Sequence, residues 1–195
     1  MRRTTTESTL YWTWLRTDNW NMYVAATAKG LCYVGSHNKP FEELSIWADK
    51  RYPNCELIED GERLQPYARE LAQYLQGELQ SFTVPFDVQG TAFQQAVWNA
   101  LCEIPYGQSK SYSDIAYDIH KPAAVRAVGA AIGANPLLIV IPCHRVSGKN
   151  GALTGYRGGL EMKARLIRLE QAGDPSIGSN ILGRGWGQSL NVYSQ

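Results

Sequence analysis

Ile139-Val140-Ile141-Pro142-Cys143-His144-Arg145-Val146 sets an apolar, β-branched run directly against a thiol, an imidazole and a guanidinium. The run predicts a strand over 137–141. Pro142 cannot donate a ladder hydrogen bond, so the strand ends there and Cys143 falls on a kink from which it can face a cleft. A thiol is a useful nucleophile only as thiolate, and neighbouring His and cationic groups lower its pKa. The same adjacency also fits a buried structural cysteine, because free Cys is among the most buried residue types.

Working outward, the flanking segments read as helices. Residues 91–103 repeat apolar side chains at Phe93, Val97, Trp98 and Leu101 behind a Thr cap. Ile104-Pro105-Tyr106-Gly107 is a turn. A short helix with a serine cap is expected over 111–119, Lys121-Pro122 breaks it, and another helix follows over 123–134. Two short helices across a tight turn resemble a helix-turn-helix. Asn135-Pro136 ends the second. Segments 148–151 and 155–159 are glycine-rich loops, and 160–171 is a closing helix.

The first part of the chain reads as α+β. Strands are expected over 11–15, 22–27 and 31–34, the last two joined as a hairpin through Ala28-Lys29-Gly30. Helices are expected over 41–51 and 64–79, the second with Tyr67, Leu71, Tyr74 and Leu75 on one face. Residues 82–88 resume extended structure, and Pro85 marks an edge or linker. The predicted fold class is therefore α+β. An N-terminal α+β domain over 1–88, a small sheet plus helices, precedes a mostly helical, winged helix-turn-helix-like domain over 89–173. Residues 174–195 hold four glycines and no periodicity, and are expected to form a flexible tail.

Composition narrows the function classes. At 195 residues, 44% hydrophobic and 19% charged, the chain reads as globular. No apolar run approaches the roughly 20 residues that span a membrane, and no signal-peptide core follows Arg2-Arg3. The four cysteines are scattered without a CxxC pair, which argues against a disulfide framework or a Cys-rich zinc site. A reducing cytoplasm suits an active thiol. Residues 1–106 carry nine Lys/Arg against thirteen Asp/Glu, whereas 107–170 carry nine against four. The basic second half points to a polyanion or an acidic substrate, or is ordinary surface charge.

Taken together, the second half resembles the O6-alkylguanine-DNA alkyltransferases, the methylated-DNA–protein cysteine methyltransferase family. The resemblance is carried by Phe93-Gln94-Gln95-Ala96-Val97-Trp98, Ile104-Pro105-Tyr106-Gly107, Ser111-Tyr112, Val125-Arg126-Ala127-Val128-Gly129, Asn135-Pro136, the Pro142-Cys143-His144-Arg145 stretch, and Gly155-Tyr156-Arg157-Gly158-Gly159-Leu160-Glu161-Met162-Lys163. It implies single-turnover transfer of an alkyl group from O6-alkylguanine, and also O4-alkylthymine, in double-stranded DNA to Cys143. His144 activates the thiol through a water, and Glu170 orients His144. Asn135 is the hinge asparagine, Tyr112 contacts the guanine edge, and Gly155, Tyr156 and Arg157 complete the base pocket, where the Arg157 side chain narrows it or meets a phosphate. Arg126 fills the stack when the base flips, on a slim helix in which Ala124, Ala127 and Gly129 let the backbone approach the minor groove. No cofactor is implied, and Cys32, Cys55 and His37 lack convincing metal-ligand spacing. A monomer is expected, in the cytoplasm (at the nucleoid in a bacterium, or in the nucleus of a eukaryote). Two other classes fit parts of the pattern. A Cys-His thiol enzyme predicts turnover. A lesion-binding or regulatory helix-turn-helix protein predicts a base-reading helix, which the Ala/Gly-rich segment fits poorly.

Overall fold

Alternating apolar residues build the first sheet, in a computed structural model that describes residues 9–173. β1 (Thr9–Arg16) pairs antiparallel with β2 (Asn21–Ala26), in a register that sets Tyr11 opposite Ala26 and Leu15 opposite Met22. β2 pairs antiparallel with β3 (Leu31–Val34). β4 (Glu56–Glu59) adds parallel to β1, giving the order β3-β2-β1-β4. The sequence pattern missed β4. It is a four-residue edge strand, largely exposed, without apolar alternation, and its pairing is supplied by β1.

Period-2 alternation separates the two faces of this sheet except at Cys32, where the β2–β3 register shifts and the adjacent Cys32 and Tyr33 fall in one cluster. Ala25, Cys32 and Tyr33 pack with Leu44 and Ala48 of α1 (Glu42–Arg51). Met22, Val24 and Ala26 pack with Leu64, Leu71 and Tyr74 of α2 (Gly61–Leu75). Asp60 caps α2 by accepting from the Arg63 amide. The helix ends four residues earlier than expected because Gly77, at φ +80°, reverses the chain. The Glu78 amide then reaches the Gln73 carbonyl, and the Gly77 amide reaches Tyr74.

The second part is mostly helical. α3 (Ala92–Cys102) and α4 (Tyr112–Asp118) each open on a full capping box, Thr91 with Gln94 and Ser111 with Asp114. The single helix expected over 123–134 is divided. His120 takes a positive φ and Pro122–Ala124 forms a tight 3₁₀ turn before α5 (Val125–Gly133) begins. Trp98 Nε1 donates to the Ala131 carbonyl at 2.9 Å and locks α3 to α5. β5 (Lys110–Ser111) pairs parallel with β6 (Val146–Ser147), and α6 (Leu160–Gly173) closes the described chain.

The expected strand over 137–141 is not a strand. Its five residues form successive turns, with one isolated bridge from Leu137 to Val34 and Ile139 at φ +74°. All five are buried. A segment enclosed by core on every side is apolar throughout whatever its backbone does, so periodicity does not separate the two cases.

The expected boundary near Val88-Gln89-Gly90 lies in the loop between α2 and α3. The core nevertheless crosses it. Leu15, Met22 and Leu71 belong to the same buried cluster as Val97, Ile115, Leu138 and Leu166. Among the described residues, no helix is long and apolar enough to cross a membrane. The expected tail over 174–195 lies outside the described residues.

Candidate active site

After Pro142, the residues Cys143–Arg145 make a 3₁₀ turn. With three residues per turn, consecutive side chains leave in different directions. Cys143 meets Asn135, while His144 and Arg145 both reach Glu170.

Asn135 stands at the end of α5, 1% exposed, and each polar atom of its side chain is engaged. Its Oδ1 accepts from the Leu137 amide at 2.9 Å. Its Nδ2 donates to the Ile141 carbonyl at 2.9 Å, to the Leu137 carbonyl at 3.2 Å and to Cys143 Sγ at 3.1 Å. One amide thus holds both the 137–141 turns and the sulfur. Cys143 is 2% exposed, so the thiol does not face an open cleft. Burial pushes its pKa up. The Asn135 hydrogen bond and the positive charges of Arg157 and Lys163 oppose that rise without overcoming it. The cations acting on the sulfur are therefore not the adjacent Arg145, whose guanidinium is committed to Glu170 and to the Ile104 carbonyl at 2.6 Å.

Glu170, on α6, is 2% exposed and heavily coordinated. Oε1 accepts from His144 Nε2 at 2.6 Å, from Arg145 Nη2 at 3.1 Å and from the Tyr74 hydroxyl. Oε2 accepts from Arg145 Nε at 3.0 Å and from the Gly107 amide at 2.9 Å. Burial opposes ionisation here, but the hydrogen bonds and charges of His144 and Arg145 outweigh it and hold the carboxyl at about 2. His144 is fully enclosed. Burial pushes the imidazole below its ordinary value, against the pull of Glu170. An ionised carboxylate only accepts, so the Nε2 proton faces it and Nδ1 carries the lone pair. Nδ1 is buried without a hydrogen-bond partner among the described residues.

Among the remaining predicted residues, Tyr112, Gly129 and Gly155 stand together as a rim. Tyr112 starts α4, and its hydroxyl donates to the Thr154 carbonyl at 3.2 Å. Its ring lies against Gly129 of α5, and Gly155 sits beside its hydroxyl. The Tyr156 hydroxyl is buried without a partner among the described residues. Arg126 and Ala127 are exposed on α5, Ala124 and Gly129 are half-buried, and Val128, Ala131 and Ile132 fill the opposite face.

Arg157 is placed otherwise than expected. Its guanidinium turns away from the rim, to the Val34 carbonyl at 2.7 Å, Pro136 at 3.1 Å and Asn135 at 3.2 Å, with Glu43 at 3.5 Å. The side chain joins the N-terminal sheet to the Asn135 turn and leaves only the main chain for the rim.

Three participants were not legible beforehand. Tyr74 read as one more apolar-face residue of α2. The available signal was that a buried tyrosine hydroxyl needs a partner. Lys163 is 0% exposed and donates to the Val146 and Thr154 carbonyls at 2.5 and 2.7 Å. The Gly107 amide reaches Glu170 from a turn that the sequence marked without assigning it a role. Among the described residues, no group of three or more His, Cys, Asp or Glu side chains is placed to share a metal ion.

Two family models match the chain. One, described as 6-O-methylguanine DNA methyltransferase, DNA binding domain, matches residues 92–172. The other, described as the ribonuclease-like domain of the same methyltransferase, matches residues 10–88. The inducible methylated-DNA–protein-cysteine methyltransferase of Bacillus subtilis is 66% identical over 167 residues, covering 86% of this chain and 93% of that protein. A methylated-DNA–protein-cysteine methyltransferase of Methanosarcina acetivorans is 50% identical over 149 residues, 75% of this chain and 89% of its own. The crystal structure of Mycobacterium tuberculosis OGT in complex with DNA superposes with a TM-score of 0.73 at 34% identity, covering 87% of this chain and 98% of that one. With a relative this similar over nearly its whole length and both halves matched in order, the chain belongs to the 6-O-methylguanine DNA methyltransferase family.

Proposed function

We propose that the protein repairs DNA by direct, single-turnover transfer of an alkyl group from O6 of a damaged guanine to Cys143, with O4-alkylthymine as a second substrate. The observation that carries this reading is the pair of buried contacts around one turn, Asn135 on the Cys143 sulfur and Glu170 on His144. The two matched segments support a two-domain division, 1–88 and 89–173.

The sulfur–carbon bond forms as the carbon–O6 bond breaks, in line. The alkyl carbon is a soft electrophile, and thiolate is the softest common side-chain nucleophile. Burial keeps Cys143 protonated at rest, so deprotonation accompanies substrate entry. His144, held neutral by its burial, takes the thiol proton on Nδ1 through a water, and ionised Glu170 stabilises the imidazolium that results. The departing guanine anion gains a hydrogen bond from Tyr112 and a proton, the one that left the thiol, returned from the His144 imidazolium through water, so that His144 ends neutral. The thioether is stable, so each molecule acts once.

The partner is double-stranded DNA. The basic second half and the DNA-bound Mycobacterium tuberculosis relative support this. O6 is out of in-line reach inside a duplex, so the base is extruded. α5 and the turn before it enter the minor groove, the small residues Ala124, Ala127 and Gly129 allowing close approach, and Arg126 takes the vacated place in the stack. Asn135, Gly155, Tyr156 and the main chain of Arg157 receive the base. The protein acts as a monomer, in the cytoplasm (at the nucleoid in a bacterium, or in the nucleus of a eukaryote).

Mass spectrometry after mixing with an O6-methylguanine duplex tests the reading. One methyl group is expected on the peptide containing Cys143, and none in Cys143→Ala, which still binds the lesion. Methylation of another cysteine, repair of several lesions per molecule, or binding without methyl gain would each overturn it.

A further inference from the structure

The N-terminal part supplies a side chain to the buried His144–Glu170 pair. Tyr74 lies on α2, 0% exposed, with its hydroxyl donating to Glu170 Oε1 and standing 3.4 Å from His144 Nε2. Its ring is held on two sides, stacked on Phe82 at 5.1 Å and set edge-on to Tyr106 at 5.8 Å. The hydroxyl is therefore aimed by packing and does not rotate to find its own partner. We infer that Tyr74 is a positioning residue for alkyl transfer, whose hydroxyl fixes Glu170 against His144 and sets how readily His144 accepts the thiol proton. This rests on the reading that Cys143 is the alkyl acceptor.

Burial keeps the phenol protonated, so Tyr74 donates to the carboxylate and shares part of its charge. Without that donor, more of the Glu170 charge falls on the His144 Nε2–H, and the imidazole holds a proton more tightly. An imidazole already protonated cannot take the proton of the thiol. The other groups facing the pair are Arg145 on the 3₁₀ turn, Lys163 on α6, Tyr106 after α3, and Tyr156 and Cys143 across the site. All of them stay in place when one hydroxyl is removed.

The test is the pH profile of Cys143 alkylation by free O6-benzylguanine, which needs no DNA, in wild type, Tyr74→Phe, and a variant carrying trifluorotyrosine at 74. Phenylalanine keeps the ring packing and removes the donor. The acid limb of the rate profile should move up by about one pH unit, with roughly a tenfold loss on that limb. Trifluorotyrosine donates more strongly and should move the limb the other way, which keeps the test decisive if Tyr74→Phe does not fold. A residue that only packs would lower the amplitude at every pH and leave the limb in place. Superimposable profiles, or a limb moved down in Tyr74→Phe, would overturn the assignment. If the wild-type protein gains no benzyl group on Cys143, the reading of Cys143 falls first, and the two failures are distinguishable.

Discussion

Replacing Glu170 by Gln should cost stability in a way that disappears with acid. The carboxyl sits at about 2 against an ordinary value of 4.5. That depression corresponds to about 3 kcal/mol of stability at neutral pH. Because the folded value is depressed, the contribution is fully present above 4.5 and is lost as pH falls toward 2. Gln still accepts from Arg145 and Tyr74, but it leaves the buried guanidinium without a counter-charge, and breaking such a pair costs about 3–5 kcal/mol. Urea denaturation at pH 7 should therefore separate wild type from Glu170→Gln by about 3 kcal/mol, or roughly 10 °C in melting temperature. The gap should shrink steadily in measurements between pH 5 and pH 3. His144, also depressed, sharpens the acid sensitivity of the wild type from about pH 6.5 downward. A gap below about 1 kcal/mol at pH 7, or one unchanged at pH 3, would refute the assignment of Glu170 as the ionised centre of the buried network.

Arg126→Ala should slow repair of duplex DNA far more than reaction with free O6-benzylguanine, each kcal/mol of lost flipping assistance costing roughly fivefold in rate. Equal slowing on both substrates, in stopped-flow or quench assays, would place Arg126 in the fold or the chemistry. Arg157→Leu should destabilise by about 2–4 kcal/mol in urea titrations, since it takes a donor from the Val34, Asn135 and Pro136 carbonyls, the last keeping only the Val34 amide, and releases the Asn135 turn. Its salt dependence of DNA binding should stay unchanged, and a shallower slope would mean that the guanidinium reaches a phosphate after all.

Element types were legible where local chemistry and burial agree. Thr91 and Ser111 announce two helix starts because a cap is a local hydrogen bond, and both form as full capping boxes. β3 follows directly from Leu31 to Val34 for the same reason, a short buried run after a turn. The reading failed where the surroundings decide. β4 exists because β1 offers it an edge, and the 137–141 segment turns because Asn135 holds its carbonyls, neither of which periodicity records. Cys143 and His144 were nominated from adjacency, yet adjacency misassigned the nearby cation. Arg145 is committed to Glu170, whereas the positive charges that act on the sulfur come from Arg157 and Lys163, which sequence adjacency does not mark. Tyr74, nearly a hundred residues from Glu170 in sequence, is marked only by a hydroxyl on an apolar face, which says that it needs a partner but not which one.

Three contacts tie the acidic N-terminal part to the site, and each ends on a different support of the chemistry. Tyr74 donates to Glu170, which orients His144. The Val34 carbonyl accepts from Arg157, which also holds the Asn135 turn beneath Cys143. The Asn19 carbonyl accepts from Arg165 at 2.7 Å, with Trp20 stacked against that guanidinium at 4.0 Å, which fixes α6 and hence Glu170. A continuous buried cluster runs beneath all three. The first part of the chain carries an excess of negative charge and is a poor partner for a polyanion. Its contribution is therefore to geometry. It braces the helix and the turn between which the thiol, the imidazole and the carboxylate are held, so damage to these braces should appear in the rate of alkylation before it appears in DNA affinity.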